Sequence, residues 1–269
     1  MTTQPEQARH FLDQHRGDAP LLIPNPWDAG SARMFVALGF QALATTSGGH
    51  AATLGRLDGA VTRDEAIAHA AAIVAATDVP VSADLENGFA DDPAGVATTI
   101  ALAIGAGLAG CSVEDYSGSE LYSRELAAER VAAAAEAAHR GAVHLVLTAR
   151  AENFLRGNPD LADTIARLQS FQEAGADVLY APALSSLDDI RQVVSSVDRP
   201  VNVLAMPNAP NVAELASVGV KRVSVGSAFA WVALGAAADA AREFLDQGTY
   251  GFWATAGKGA GVTKAAFTS

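Results

Sequence analysis

Val79-Pro80-Val81-Ser82-Ala83, followed at once by Asp84-Leu85-Glu86, is the stretch that decides the fold. The first five residues are short, mostly apolar and barely alternate, as expected of a strand buried on both faces of a parallel sheet. Seven other runs read the same way: Leu21–Pro24, Ala42–Thr46, Cys111–Val113, Leu145–Thr148, Val178–Ala181, Val201–Leu204 and Arg222–Val225. The stretches between them read as helices. Leu161, Ile165, Leu168 and Phe171 share one helical face. Thr62-Arg63-Asp64-Glu65 has the spacing of a capping box and marks a helix start. Gly39, Gly107, Gly175 and Gly219 stand a few residues before a run, where a helix ends on a left-handed residue. Eight strand-then-helix units in 269 residues meet the arithmetic of a closed barrel, which takes about 250. The expected fold is α/β, a single (β/α)8 TIM-type barrel over residues 1–269. A doubly wound open sheet would favour Gly-x-Gly-x-x-Gly after the first strand, where Asn25-Pro26-Trp27-Asp28 stands.

Composition narrows the partners. Half the residues are apolar and 18% are charged, which excludes a disordered chain. The net charge of −12 leaves no basic stripe for a nucleic-acid backbone. A single cysteine excludes a disulfide framework and argues against a Cys-rich zinc site. No apolar leader and no spanning segment are visible, so no membrane partner and a cytoplasmic location are expected. The Ala-rich helix from about Ser227 to Asp246 is longer and more apolar than one surface helix requires, and Tyr250-Gly251-Phe252-Trp253 adds aromatics. Residues 227–269 therefore read as a helical oligomerisation extension; the other reading is a helix packed on its own barrel.

In a barrel the chemistry belongs at the C-terminal ends of the strands. Asn25, Trp27 and Asp28 stand there after the first run, and Ser47-Gly48-Gly49-His50 after the second. Asp84 and Glu86 follow the third run, and Glu114 and Asp115 the fourth. Arg150 and Glu152 follow the fifth, Asn202 lies in the seventh, and Asp58 lies beyond the second. Carboxylates gathered at one mouth repel unless protonated or neutralised, and oxygen ligands favour Mg2+ (or Mn2+) over zinc. In an extended chain Asp84 and Glu86 would share one side; capping of the next helix or pairing with an Arg is the other use of such groups. Arg150 is the one cation directly after runs two to seven. It is either a bidentate clamp for a carboxylate or phosphate, or a salt-bridge partner of Glu152 or Glu114. Ser47-Gly48-Gly49 can turn backbone N–H groups toward an anion, Gly226-Ser227 opens the last helix and could do the same, and Trp27 is a pocket wall or core.

These residues, in this order, resemble the isocitrate lyase/phosphoenolpyruvate mutase superfamily from about Leu21 to Asp246. The pieces are Asn-Pro-Trp-Asp-Ala-Gly-Ser-Ala (25–32), Thr-Ser-Gly-Gly (46–49) and Leu-Asp-Gly-x-x-Thr-Arg-Asp-Glu (57–65). Ala-Asp-Leu-Glu-Asn-Gly-Phe (83–89), Ser-Val-Glu-Asp (112–115) and Thr-Ala-Arg-Ala-Glu (148–152) complete the set. The resemblance implies a barrel whose C-terminal helix swaps between subunits of a homodimer or homotetramer, one Mg2+ and a small 2-oxo acid. It implies Ser47 and Gly48 as the substrate cradle, to which the residue reading adds Gly49 and Trp27 as substrate-binding, and Asp84 as the residue nearest the metal. Asp58, Glu86 and Glu114 would hold the metal's waters, Arg150 the substrate anion, and Asn202 would touch substrate. The set expected to act on substrate is Asp58, Glu114 and Arg150, and the metal set is Asp84, Glu86 and Glu114.

Departures from the family pattern narrow the activity. The lyases that cleave isocitrate and methylisocitrate carry Lys-x-Cys-Gly-His on the loop after the fourth strand, whereas residues 116–123 read Tyr-Ser-Gly-Ser-Glu-Leu-Tyr-Ser. The phosphonomutase Lys and Asn are absent from that loop too. The resemblance implies a Mg2+-dependent lyase of a small 2-oxo or 2-hydroxy acid, working by C–C cleavage or decarboxylation through an enolate. Carbon–phosphorus chemistry (a phosphonomutase or phosphonopyruvate hydrolase) and non-catalytic 2-oxo acid binding are the alternatives. The proton donor is open among Tyr116, Tyr180, His50 and water.

Overall fold

Each of the eight runs contains a strand in the computed structural model, which describes residues 2–268: β1 (Leu21–Ile23), β2 (Leu43–Ala44), β3 (Val81–Asp84), β4 (Gly110–Glu114), β5 (Val146–Arg150), β6 (Val178–Tyr180), β7 (Val201–Leu204) and β8 (Arg222–Ser224). All neighbouring pairs are parallel, in the order β1-β8-β7-β6-β5-β4-β3-β2. The result is a nearly closed (β/α)8 barrel of TIM type. Between β1 and β2 the amide of Ala44 donates to the Pro24 carbonyl at 3.1 Å. Asn25 spans the same seam, its Nδ2 donating to the Thr45 carbonyl at 3.0 Å while its Oδ1 accepts the amides of Val225 and Gly226, both at 3.0 Å. Met1 and Ser269, the ends of the expected 1–269 domain, lie outside the described residues.

Helices follow the strands: α2 (Ala29–Ala37), α3 (Ser47–Thr53), α4 (Arg63–Ala76), α5 (Pro93–Gly105), α6 (Arg124–His139), α7 (Leu161–Glu173), α8 (Leu187–Ser195) and α9 (Val212–Ser217). The Thr62 and Glu65 capping box starts α4 as the spacing predicts. Gly39, Gly107, Gly175 and Gly219 have φ of 101°, 86°, 104° and 91°, a region open to glycine and strained for residues with a Cβ. On α7, Leu168 and Phe171 are fully buried with Leu161 and Ile165 partly so, and all four join the main core between sheet and helices. The strand boundaries differ from the sequence reading in two ways. β3, β4 and β5 run further toward their C-terminal ends, so Asp84, Glu114 and Arg150 belong to the strands themselves. The second run is cut short at Ala44, because Thr46 caps α3 with its hydroxyl accepting from Gly49, and Ser47–His50 are helical rather than loop.

The N-terminal end of the barrel is closed by α1 (Gln4–Gln14), with Ala8 and Phe11 packed on Ile23, Ala42, Ala109, Val146 and Val178. Phe11 needs a glycine opposite: a Cβ at Gly110 would lie 2.7 Å from its ring. The chain ends in α10 (Ala228–Gln247) and α11 (Trp253–Thr268). In α10 only Ala230 is buried, so this helix does not pack on its own barrel beyond its first turn. The tail after Tyr250 is helical too, although Gly257, Gly259 and Gly261 each cost a helix about 1 kcal/mol relative to Ala. It returns to α2, where Arg33 lies over the Phe267 ring at 5.3 Å. Among the described residues no helix is long and apolar enough to cross a membrane. Truncating the plug, Phe11→Ala, is expected to cost about 3–5 kcal/mol, the range for a large buried aromatic. Urea denaturation should show a lower midpoint with an unchanged slope.

Candidate functional site

Three strand ends bring the site together. Asp84 ends β3, Glu114 ends β4 and Arg150 ends β5, with Glu114 and Arg150 directly paired in register. Arg150 Nη1 lies 3.0 Å from Asp84 Oδ1, and Nη2 lies 2.9 Å from Glu114 Oε2 and 2.8 Å from Glu152 Oε1. Of the two roles open for Arg150, the structure shows the ion pair, with Asp84 as a third partner. Ser47 turns its hydroxyl (2.9 Å) and amide (3.3 Å) to Asp84 Oδ2. The backbone beneath Asp84 is tied down as well, its amide donating to Thr45 Oγ1 at 2.9 Å.

Two adjoining hollows flank Arg150. One, of about 200 Å³, is lined by Ser47, Asp58, Asp84, Arg150, Tyr180 and Arg222 among others. The other, of about 560 Å³, is lined by Asp58, Glu86, Glu114, Tyr116, Arg150 and Arg156 among others. Asp58, Ser47 and Arg150 are common to both. Gly48 backs the mouth closely: a Cβ there would lie 2.8 Å from Ser227 Oγ and 3.3 Å from the Asp58 carboxylate.

Several expectations are corrected. Glu86 does not share an extended chain with Asp84, because its φ of 48° turns the backbone left-handed after β3. The turn still brings its carboxylate into the hollow, and its Oε1 is buried with no hydrogen-bond partner. The Arg150 guanidinium stands between Asp84 and Glu114, so the acids of the expected metal set are held apart by a cation. Trp27 is core rather than pocket wall, edge-on to Phe35 at 6.1 Å, with its carbonyl accepting from His69. Gly49 faces Trp27 and Thr46 instead of the hollow. Asn202 lies below the mouth, taking Arg222 Nε on its Oδ1 at 2.8 Å and donating to Ser224 Oγ at 3.0 Å. Its strand position is too early to reach the rim. His50 belongs to α3 and stacks on His69 at 3.8 Å. Asp115 serves the scaffold: it accepts the Glu152 amide at 2.8 Å and Arg167 Nη1 at 3.0 Å.

Two arginines escaped the sequence reading. Arg156 lies 3.4 Å from Glu114 Oε1 and 3.3 Å from Glu152 Oε2, over the Tyr116 ring at 3.8 Å. It sits in an irregular turn six residues past Arg150, where no periodicity assigns a direction. Arg222 opens β8 and points into the barrel, donating to Asn202 Oδ1 and to Thr148 Oγ1 at 3.0 Å. A charge in an otherwise apolar run was its signal.

The electrostatics follow from burial and crowding. Glu86 is pushed up to about 7, first by burial and then by the Asp84 and Asp58 carboxylates, against the opposing pull of Arg150. Burial also raises Glu114, although Arg150 acts in the opposite direction. Tyr180 is raised to about 12, chiefly by burial, and so keeps its proton through the neutral range. Burial lowers Arg222 to about 10, and no carboxylate among the described residues pairs with it. These features test whether a hard divalent cation suits the mouth. A partnerless buried carboxylate oxygen on Glu86, beside Asp84 and Asp58, has the donor chemistry for one. Asp84, Asp58, Glu86 and Glu114 are the carboxylates whose chemistry fits such an ion.

Residues 11–245 match the phosphoenolpyruvate phosphomutase family model, so the chain belongs to that family, within the superfamily that also holds the isocitrate lyases. It is an enzyme of that superfamily. A solved structure from Burkholderia cenocepacia J2315, provisionally assigned as a lyase/mutase, is 48% identical with a TM-score of 0.90, covering 93% of this chain and 91% of that one. The 2-methylisocitrate lyase of Halalkalibacterium halodurans is 31% identical over 209 residues, 74% of this chain and 67% of that protein. A structure of 2,3-dimethylmalate lyase is 26% identical with a TM-score of 0.83, covering 93% of this chain and 89% of that one.

The raised Glu86 fixes a pH dependence. A carboxyl that holds its proton to about 7 when folded, against an ordinary 4.5, stabilises the fold fully below the ordinary value. That contribution is lost as pH rises through about 7. Thermal melts of the chelator-treated protein should show a falling midpoint between about pH 5 and 8, and Glu86→Gln should flatten part of the fall.

Proposed function

We propose that this enzyme is a Mg2+-dependent lyase that breaks a C–C bond, or decarboxylates, through an enolate on a small 2-oxo or 2-hydroxy carboxylic acid. Relatives named as 2-methylisocitrate lyase, 2,3-dimethylmalate lyase and oxaloacetate decarboxylase support a lyase of small carboxylic acids. The observation that carries the metal is the charge balance at the mouth. Asp58, Asp84, Glu86 and Glu114 line the hollows with Glu152 behind them, against Arg150, Arg156 and Arg222. Five carboxyl groups crowded beside three guanidiniums raise the proton affinity of Glu86 and Glu114, and one divalent cation would let them ionise.

Mg2+ (or Mn2+) held by Asp84 would supply Lewis-acid polarisation of the 2-oxo oxygen. Ser47 positions the Asp84 carboxylate through two hydrogen bonds. Arg150 turns part of its fork from its acidic partners to the substrate carboxylate, orienting the bond that breaks. Arg222, without a carboxylate of its own, adds positive potential at the floor. Tyr180 Oη holds its proton at the wall and can donate a hydrogen bond to the developing oxyanion. The loop from Tyr116 to Tyr122 supplies no Cys, Lys or His, which favours a reaction in which the departing fragment needs no protein thiol.

The same reading includes a homodimer or homotetramer in which the α10–α11 arm crosses to a second copy. α10 has one buried residue and leaves Val232 and Leu245 exposed, so it gains little from its own barrel, and the contact that α11 makes with α2 would be made with the second copy. Helices of this kind depend on packing an apolar face for stability.

Oxaloacetate, 2-methylisocitrate, 2,3-dimethylmalate and phosphonopyruvate, each assayed with Mg2+ and with chelator, test the proposal. Turnover of a C–C substrate that requires the cation is expected, and Asp84→Ala should lower kcat/KM by about 100-fold or more. Undiminished turnover by Asp84→Ala in chelator would overturn it. Phosphate release from phosphonopyruvate alone, followed by phosphorus NMR, would move the assignment to carbon–phosphorus chemistry.

A further inference from the structure

At the opposite end of the barrel from the mouth, three side chains meet that the reaction does not use. His139 ends α6, His144 lies in the loop before β5, and Asp177 immediately precedes β6. His139 Nε2 lies 2.9 Å from Asp177 Oδ2, and His144 Nε2 lies 3.0 Å from Asp177 Oδ1. The two rings stack 4.0 Å apart and within 4° of parallel. The ligand atoms of all three lie within 4.8 Å of one another, the one such group of His, Cys, Asp or Glu among the described residues.

We propose that His139, His144 and Asp177 form a binding site for a nitrogen-preferring divalent transition ion of the zinc class. The spacing to the carboxylate suits the ion, and one ring turns out of the parallel stack to bring both Nε2 lone pairs onto it. Zinc bonds of about 2.0–2.1 Å in a tetrahedron set ligand atoms roughly 3.3 Å apart, close to the present separations of Asp177 from each imidazole. The carboxylate is already oriented, because Asp177 Oδ2 also accepts the Leu147 amide at 2.9 Å, the kind of outer contact that positions a metal ligand.

The surroundings select the kind of ion. The group opens into a cavity of about 650 Å³ that also holds Arg16, Arg199 and Lys221. With two imidazoles, one carboxylate and basic neighbours, the site is poor in oxygen and negative charge, which disfavours Mg2+ and Ca2+. Two imidazoles and one carboxylate leave a fourth position for water. Binding takes the lone pair of each Nε2, so each proton now shared with Asp177 moves to Nδ1 or to solvent, and no redox partner is involved. The ion would join the end of α6, the loop before β5 and the turn before β6. That is a staple at the barrel base, remote from the reacting groups.

The test uses the full-length, tag-free chain stripped of metal. With the mouth occupied by excess Mg2+, Zn2+ titrated by calorimetry should bind at one further site per chain and raise the thermal midpoint, and Co2+ should develop the visible d–d bands of a tetrahedral N/O site. His144→Gln and His139→Gln should each weaken Zn2+ binding about tenfold or more, while Asp84→Ala leaves it unchanged. His144 is almost half exposed, so its variant keeps the fold, checked by circular dichroism, and decides the matter alone if His139→Gln unfolds. No saturable binding, binding undiminished in His144→Gln, or binding lost in Asp84→Ala would each overturn the proposal.

Discussion

The Arg150 guanidinium, desolvated among the carboxylates of Asp84, Glu114 and Glu152, is the interaction on which the mouth depends. Desolvating four charges is costly, and the cost is offset only by close, well-aligned pairing. That requirement locks the C-terminal ends of three adjacent strands in one register, since Glu114 and Arg150 are direct partners and Asp84 stands one strand away. It also explains the neighbours. Arg150 cannot satisfy every acid, so Glu86 is left with an unpartnered oxygen and a raised proton affinity. The mouth is thus a balanced cluster with acid to spare, and a bound cation and a bound di-acid would complete it together.

Below the mouth the barrel interior is polar to an unusual depth. Arg222 reaches across it to Asn202 and Thr148, with His15 of α1 beneath at 3.5 Å. Burial and Arg222 hold His15 down to about 3, so this histidine is neutral and adds no second charge. A lone buried guanidinium strengthens positive potential inside a low-dielectric wall, where it acts on whatever anion enters the hollow above. The base is closed by Phe11 packed against Gly110, an apolar contact beneath the sheet.

The two ends of the barrel differ in chemistry because they differ in what the chain must do there. At the C-terminal end the strands stop and irregular segments supply oxygen ligands and cations. At the N-terminal end short turns such as Gly175-Ala176-Asp177 bring helix ends and strand starts together, and histidines can converge there without disturbing the sheet. The α10–α11 arm belongs to neither end. It carries many exposed large apolar side chains, Trp231, Val232, Leu245 and Trp253 among them, and the reading of that segment as more than a surface helix rests on that exposure.

The sequence by itself determined the barrel. Eight apolar runs of low alternation, left-handed glycines at helix ends and a Thr62–Glu65 capping box are local signals, read from each residue's own backbone preference. It also placed Asp58, Ser47, Asp84, Glu86, Glu114 and Arg150 around one mouth, because strand-end position alone dictates that neighbourhood. Only the tertiary structure decided how those groups pair. Whether Arg150 faces substrate or acids, whether Glu86 turns inward after a φ of 48°, and whether Trp27 joins core or pocket depend on contacts between segments distant in sequence. The same holds for Arg156, Arg222 and the meeting of His139 with Asp177. A periodic pattern reports which face of an element is buried; it carries no record of which charge from another element waits on that face.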